Sequence, residues 1–325
     1  MRNIDWRPGA NLEALKARAG MLARIRSYFA DAGVLEVETP LAVSTSGTDP
    51  SIEPLTTQYE GPGFSDGLKL YLQSSPEFAM KRLLAADSGP IYQICKAFRN
   101  NEAGRRHNLE FSILEWYRPD FDHHQLMDEV ATIARIALQN DDLPVKKIAY
   151  ADLFQDFLGV DIFTADNDDL QQIAVDNLIL GADGIDMDKD SWLDLLMSYL
   201  VEPRLAENDL TFIVDYPRSQ ASLARLNPDK RTAARFELYH QGMELANGFY
   251  ELVDAQEQSQ RFERENCKRK GNGQKGIKVD RHFLAALEHG LPDCSGVALG
   301  LDRLLMLAMD VDDIDAVMAF SLQRV

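Results

Sequence analysis

A chain of 325 residues with 45% hydrophobic and 26% charged side chains reads as a globular protein that can bury a full core, in one large domain or two. A formal net charge of −18, with a pI near 4.7, excludes a generic polyphosphate-binding surface; a nucleic-acid partner would need a local basic patch against an unfavourable overall field. Cys95, Cys267 and Cys294 lie too far apart for zinc spacing or a disulfide framework, and no segment approaches the roughly 18 uninterrupted apolar residues of a membrane span, so the chain reads as cytoplasmic with no membrane segment.

Asn11 to Ala32 has the pattern of a helix, with Asn11 as its cap and Leu12, Leu15, Ala19, Leu22, Ile25 and Phe29 as an apolar stripe. Gly33 ends it, and Val34–Thr39 is a short β-prone run stopped by Pro40. Thr45–Ser51 is small and polar, the composition of a mobile loop. Tyr71–Glu77 leads into a helix over Phe78–Ala86 with Pro76 near its start, where Glu77 fits as a first-turn acid favoured by the helix dipole.

Ile91–Phe98 and Glu110–Tyr117 read as an antiparallel pair joined by a long polar loop. Arg99 stands where the first strand meets the loop, and His107 and Asn108 stand where the loop re-enters the second. Phe111 offers a flat apolar face, while Glu115 and Tyr117, two apart, share one face of their strand. Such a set suits a nucleoside triphosphate bent over a sheet, and it equally suits a hairpin with a solvated charged loop.

Gln125–Gln139 is an amphipathic helix, preceded by His123 and His124, which read as a solvated pair rather than metal ligands. Ala149 to Ala206 is acidic, with helical stripes (Leu153, Phe154, Phe157; Trp192, Leu193, Leu196, Leu200) between polar turns, the pattern of a small helical insertion on a sheet. Asp183 to Asp186 offers too few ligands in register for a calcium loop. Leu210–Val214 is a β run, and Phe236–Val253 is β-patterned with turns expected at Gln241-Gly242 and Asn247-Gly248. A polar helix over Ala255–Lys270 runs into the basic stretch Lys268–Lys278, either a solvated loop or a contact for an acidic partner. Gly296 to Arg303 then leads into an apolar helix, Leu304–Met309; its glycines allow close approach to a nucleotide, and Arg303 at the junction can reach a phosphate.

Phe98-Arg99-Asn100, His107-Asn108, Glu110-Phe111 and Glu115 resemble the second signature motif of class II aminoacyl-tRNA synthetases, most closely the lysine-specific branch. Asn101 and Leu109 depart from it, standing where Glu and Pro are usual. The helix and strand up to Pro40 resemble the first motif, which in that family builds a homodimer interface, and Gly300 with Arg303 belongs to a stretch that resembles the third. The resemblance implies an α+β fold, an antiparallel sheet flanked by helices, as one catalytic domain over residues 1–325 with a helical insertion around 149–206. Because only ten residues precede Asn11, the expectation is that the anticodon-binding barrel of lysyl-tRNA synthetases is absent.

The resemblance also assigns roles. Arg99 and Arg303 are the catalytic pair on the ATP phosphates; Asn100, Asn101, His107, Asn108, Phe111, Leu245 and Gly300 complete the nucleotide site. The pattern Glu244, Asn247, Gly248, Phe249, Glu251 resembles a lysine-branch motif in which the acid matching Glu244, with one seven residues earlier (Glu237), holds Mg2+ on ATP. Ser75, Pro76, Glu77, Glu115, Tyr117, Asn247, Phe249, Glu251 and Ala298 would form the substrate pocket, acidic enough for a lysine-like dication.

A stand-alone domain of this kind resembles the bacterial ligases that join (R)-β-lysine to a lysine of elongation factor P. Ala298 fits that branch, since Gly is usual there in lysyl-tRNA synthetases and a methyl would crowd an α-amino group. On this reading tRNA is not a partner. An α-lysine-activating ligase or truncated lysyl-tRNA synthetase, and a non-catalytic scaffold or regulator, remain the alternatives.

Overall fold

In the computed structural model, which describes residues 6–205 and 208–325, Asn11 caps the first helix: its side chain accepts from Ala14 N at 2.8 Å and α1 runs over Leu12–Asp31. The expected stripe on α1 divides. Ile25 and Phe29 are buried, joined by Ala14 and Met21, whereas Leu12 and Ala19 are exposed. Leu15 and Leu22, half-buried, line a groove of about 520 Å³ with the C-terminal residues Met318–Leu322 and Val325. Helix α1 thus has one apolar face in the core and a second turned outward.

The chain divides into two units. The first, up to Asp141 and again from Glu251 to Val325, opens with β1 (Leu35–Glu36), β2 (Ala42–Val43), β3 (Thr56–Gly61), β4 (Phe64–Leu72), α2 (Glu77–Leu84), β5 (Ile91–Phe98), β6 (Glu110–Pro119) and α3 (His123–Leu138). Asp122 closes a capping box with Gln125, so α3 starts earlier than its apolar pattern predicts; His123 falls on the first turn and is buried rather than solvated.

The second unit, Asp142–Tyr250, contains β7 (Val145–Ala149), α4 (Tyr150–Leu158), α5 (Asn167–Asp176), α6 (Lys189–Leu196), β8 (Leu210–Pro217), β9 (Thr232–His240) and β10 (Met243–Tyr250). Its strands lie in the order β10-β9-β8-β7. The predicted stripes of the acidic region meet in one core of Tyr150, Leu153, Phe154, Trp192, Leu193 and Leu196 against Ile213 and Tyr216; the expected end of that region, Ala206, lies outside the described residues.

The first unit resumes with α7 (Ala255–Gly271), α8 (Arg281–Gly290), β11 (Cys294–Gly300) and α9 (Leu301–Ala308). Its strands lie in the order β1-β5-β6-β11, antiparallel except for the β1–β5 pair, beside a small β2-β4-β3 sheet. Among the described residues no helix is long and apolar enough to cross a membrane.

Two expectations need correction. The basic stretch Lys268–Lys278 is not wholly solvated. Arg269 is 1% exposed and donates to Asp49 O, Ile52 O and Glu53 Oε2, while Gln274 donates to Pro50 O. These bonds, with Thr48 donating to Glu265 and Thr45 donating to Asp280, tie down the loop read as mobile.

Nor is Asn247-Gly248 a turn. Both residues lie inside β10, and the reversal is made by Gln241 and Gly242, at φ 51° and 67°. Gly248 is required by packing: a Cβ there would stand 2.3 Å from the buried Phe236 ring on the facing strand. Gly248→Ala is therefore expected to destabilise the protein by about 1–3 kcal/mol, as overpacked cores do, read as a lower denaturant midpoint. A turn glycine with open space would give no such loss.

Candidate active site

Arg99 follows directly on β5, its guanidinium 5.1 Å from the centroid of the Phe111 ring on β6. Its Nε is buried and meets no acceptor among the described residues, an unusual state for a guanidinium and one that a phosphate oxygen would relieve. The Asn101 departure has a backbone reason. The strand has ended, Asn101 adopts φ 66°, a conformation Asn tolerates better than Glu, and Glu102 then reaches Arg99 at 3.8 Å.

The other arginine comes from the end of β11. Arg303 lies on the first turn of α9 and meets His107 Nε2 at 2.5 Å. Burial and the adjacent guanidinium hold the imidazole below its ordinary range, so it stays neutral and can accept from Arg303. Asp302, buried between them in sequence, does the scaffolding: it accepts from Ser112 N at 2.6 Å and pairs with Arg18 of α1. The side chain of Asn108, expected beside the nucleotide, bonds within the fold. It donates to Glu110 O at 2.7 Å and accepts from Leu322 N at 2.9 Å. Asn100 is tied to Glu53 through its backbone N–H.

The acidic residues expected to hold the substrate do converge, all from the first unit. Ser75 donates to Glu115 Oε2 at 2.7 Å and accepts from Glu77 N, joining the start of α2 to β6. Tyr117 donates to Glu115 Oε1 at 2.8 Å. Burial, and secondarily the charge of Glu77, push the Glu115 carboxyl up to about 8.

One residue was missed. Lys81 reaches into the same cluster, its Nζ 2.6 Å from Glu77 Oε1 and 2.6 Å from Glu251 Oε2. The signal was available in its position four residues after Glu77 on a helix. On β11, Ala298 lies directly across from Glu115, and Gly296 across from Tyr117. A Cβ at Gly296 would stand 2.2 Å from the Tyr117 ring and 2.5 Å from Glu251 Oε1, so only glycine leaves those two side chains their places. Ala298 is half-buried and Gly300 ends the strand as the cap position of α9.

In the second unit, Glu237 and Tyr239 share one face of β9, with Asn247 opposite Glu237 and Glu244 opposite Tyr239. The register shift between Glu244 and Ala246 keeps Glu244 and Asn247 on that face, although they are three apart. Leu245, at the shift, has its side chain in the core, so only its backbone can meet a nucleotide. Phe249 packs against Ala221, Ala224 and Ala233. Glu237 is held by Arg235 at 2.5 Å and by the Tyr239 hydroxyl at 2.9 Å. Asn247 carries a buried amide oxygen that meets no donor among the described residues. Two carboxylates on one face are a poor cage for a bare cation, and no cluster of three or more metal-ligating side chains occurs among the described residues. They do suit magnesium that takes most of its ligands from phosphates and water.

Comparison with known proteins identifies a family. Residues 1–324 match the family described as tRNA synthetases class II (D, K and N). The chain belongs to that family. Among its relatives, proteins of Salmonella dublin, Klebsiella pneumoniae and Salmonella paratyphi B, each named elongation factor P--(R)-beta-lysine ligase, are 47% identical over 320 residues, 98% of this chain and 98% of theirs. Arg99 directly follows β5, and Arg303 lies three residues after β11, on the first turn of α9.

Because Glu115 holds its proton above the ordinary carboxyl value of 4.5, the protonated form adds stability that is complete below about 4.5 and is lost as pH rises through about 8. The ligand-free protein is expected to melt at a lower temperature at pH 9 than at pH 6. Glu115→Gln, which keeps a neutral side chain at every pH, should flatten that difference; an equally steep profile in the variant would place the titration elsewhere.

Proposed function

We propose that this class II synthetase uses ATP to activate (R)-β-lysine as an aminoacyl-adenylate and transfers the acyl group to a lysine ε-amine of elongation factor P. The observation that carries the reading is Ala298 placed directly across from Glu115, in a chain that aligns almost end to end with the ligases named above. A methyl at that point narrows the space beside the pocket carboxylate where an α-amino group would sit. An amino group one carbon further along the substrate avoids it.

The first step needs no protein base, since the substrate carboxylate is already ionised. A carboxylate oxygen attacks the α-phosphorus, the bond to the bridging oxygen breaks and pyrophosphate leaves. Arg99, with its unfilled Nε, offsets charge at the α-phosphate, and Arg303, oriented by neutral His107, does so at the terminal phosphate. Magnesium, when bound, neutralises phosphate charge; Glu244 and Glu237 would hold it, with Glu237 kept in place by Arg235 and Tyr239. Glu77 and Glu251 orient the substrate through its ammonium groups. Glu115, protonated while the pocket is empty, joins them by giving up its proton when an ammonium arrives. In the second step the acceptor amine, having lost its proton, attacks the carbonyl carbon of the mixed anhydride; the carbon–oxygen bond to phosphate breaks and AMP leaves.

Glu244→Gln is expected to lower ATP–pyrophosphate exchange at least about 100-fold with the melting temperature held. Unchanged exchange would take Glu244 out of the nucleotide site.

Ala298→Gly is expected to raise adenylate formation with α-lysine about 10-fold or more while leaving the fold intact, since relief of one methyl clash is on the order of 1–3 kcal/mol. The measurement is exchange with α-lysine and both β-lysine enantiomers across a range of concentrations. A parent protein that already prefers α-lysine would sink the β-lysine reading and favour the α-lysine ligase.

A further inference from the structure

Lys81 has no part in the chemistry above, yet it is a deeply buried cation of the same pocket. It is 1% exposed and lies 5.7 Å from the centroid of the Phe283 ring on α8. Burial alone would pull the proton from such an amine. The charges of Glu251 and Glu77 reverse that, and the ammonium is held more tightly than an ordinary lysine holds it. One oxygen of each carboxylate is 2.6 Å from the same nitrogen, so those two oxygens lie within about 5 Å of each other.

We propose that Lys81 is the positioning residue of the amine pocket: its ammonium bridges Glu77 and Glu251 and holds them side by side, so that the pair can receive a substrate ammonium. The proposal rests on the function proposed above, which is what brings a substrate amine to these acids. Two carboxylates this close, one buried and one half-buried, share a proton when no cation lies between them, as paired carboxylates do. A protonated carboxyl contributes no charge to balance an ammonium. With Lys81 present, each carboxylate gives one oxygen to the lysine and keeps the pair's remaining charge for the ligand. Glu251 Oε1 faces the bare backbone of Gly296, where a side chain would have displaced it.

The groups that face this pair are Lys81 itself on α2 and Glu115 and Tyr117 on β6; Cys95 on β5 lies near Glu115, its thiol pushed up to about 12 by burial and by Glu115. Tyr117 is likewise raised well above its ordinary range, so neither it nor Cys95 titrates near neutrality. Glu115 does, and the Lys81 charge lowers it, so losing that charge raises Glu115 in the same sense as it raises the pair.

The test is ATP–pyrophosphate exchange by the full chain with α-lysine and both β-lysine enantiomers, for wild type, Lys81→Met and Lys81→Arg. In Lys81→Met the KM for the lysine substrate is expected to rise about 30-fold or more at pH 7, while kcat and the KM for ATP stay within about 5-fold. Raising the pH to 9 removes the shared proton, so the ratio of variant to wild-type KM should shrink. Lys81→Arg, which keeps the charge, should recover most of the loss. A ratio that is constant with pH, or KM and kcat falling together in both variants, would reduce Lys81 to a packing role and overturn the proposal. Should Lys81→Met not fold, nitrogen-15 NMR of the wild-type lysine side chains decides. The Lys81 Nζ is expected to remain an ammonium at pH 9, and a neutral amine there overturns the proposal. Wild type that activates no lysine isomer, though folded and binding ATP, defeats the proposed function and with it this role.

Discussion

The ammonium of Lys81 between Glu77 and Glu251 is the contact on which the rest of the pocket depends. It joins the first turns of α2 to the residue that follows β10, two stretches distant in the chain. Glu77 is linked through Ser75 to Glu115, Glu115 to Tyr117, and Glu251 to the backbone of Cys294 at the start of β11. Three carboxylates within one buried cluster would repel one another in a medium of low dielectric. One internal cation, two hydroxyl donors and the raised Glu115 carboxyl together make the cluster tolerable.

The same molecule assembles a site of opposite character a short way along the same strands. Arg99 follows β5 and Arg303 lies on the first turn of α9 just past β11, and the imidazole beside Arg303 is kept neutral. In a protein of net charge −18, cations held just past strand ends can serve a polyphosphate while the surface as a whole repels one. Asp302 shows how such placement is secured. Its carboxylate fastens α9 to β6 and to α1, so Arg303, the next residue, inherits a fixed origin.

Much of the secondary structure was legible locally. The Asn11 cap and the span Ile91–Phe98 follow from local rules, capping chemistry and β-prone alternation, and both stand as read. Reading failed where a residue type serves two ends. Asn-Gly usually marks a turn, but Gly248 is small because the Phe236 ring passes over it. A basic run usually marks solvent, but Arg269 caps the carbonyls of a loop more than 200 residues earlier in the chain. On α1 the apolar stripe is real, yet only part of it enters the core.

The sequence by itself determined the motifs and hence the family, because Arg99, Glu115, Glu251 and Arg303 stand at spacings set by short, regular elements. It also determined which acids gather in one pocket. Only the tertiary structure decided their charge state and their partners: that Lys81 sits among them, that Glu115 retains a proton, that the Asn108 side chain bonds within the fold, and that Ala298 faces Glu115 across a strand pair. Burial and distance govern those properties, and both are set by which distant segments pack together, which no local pattern records.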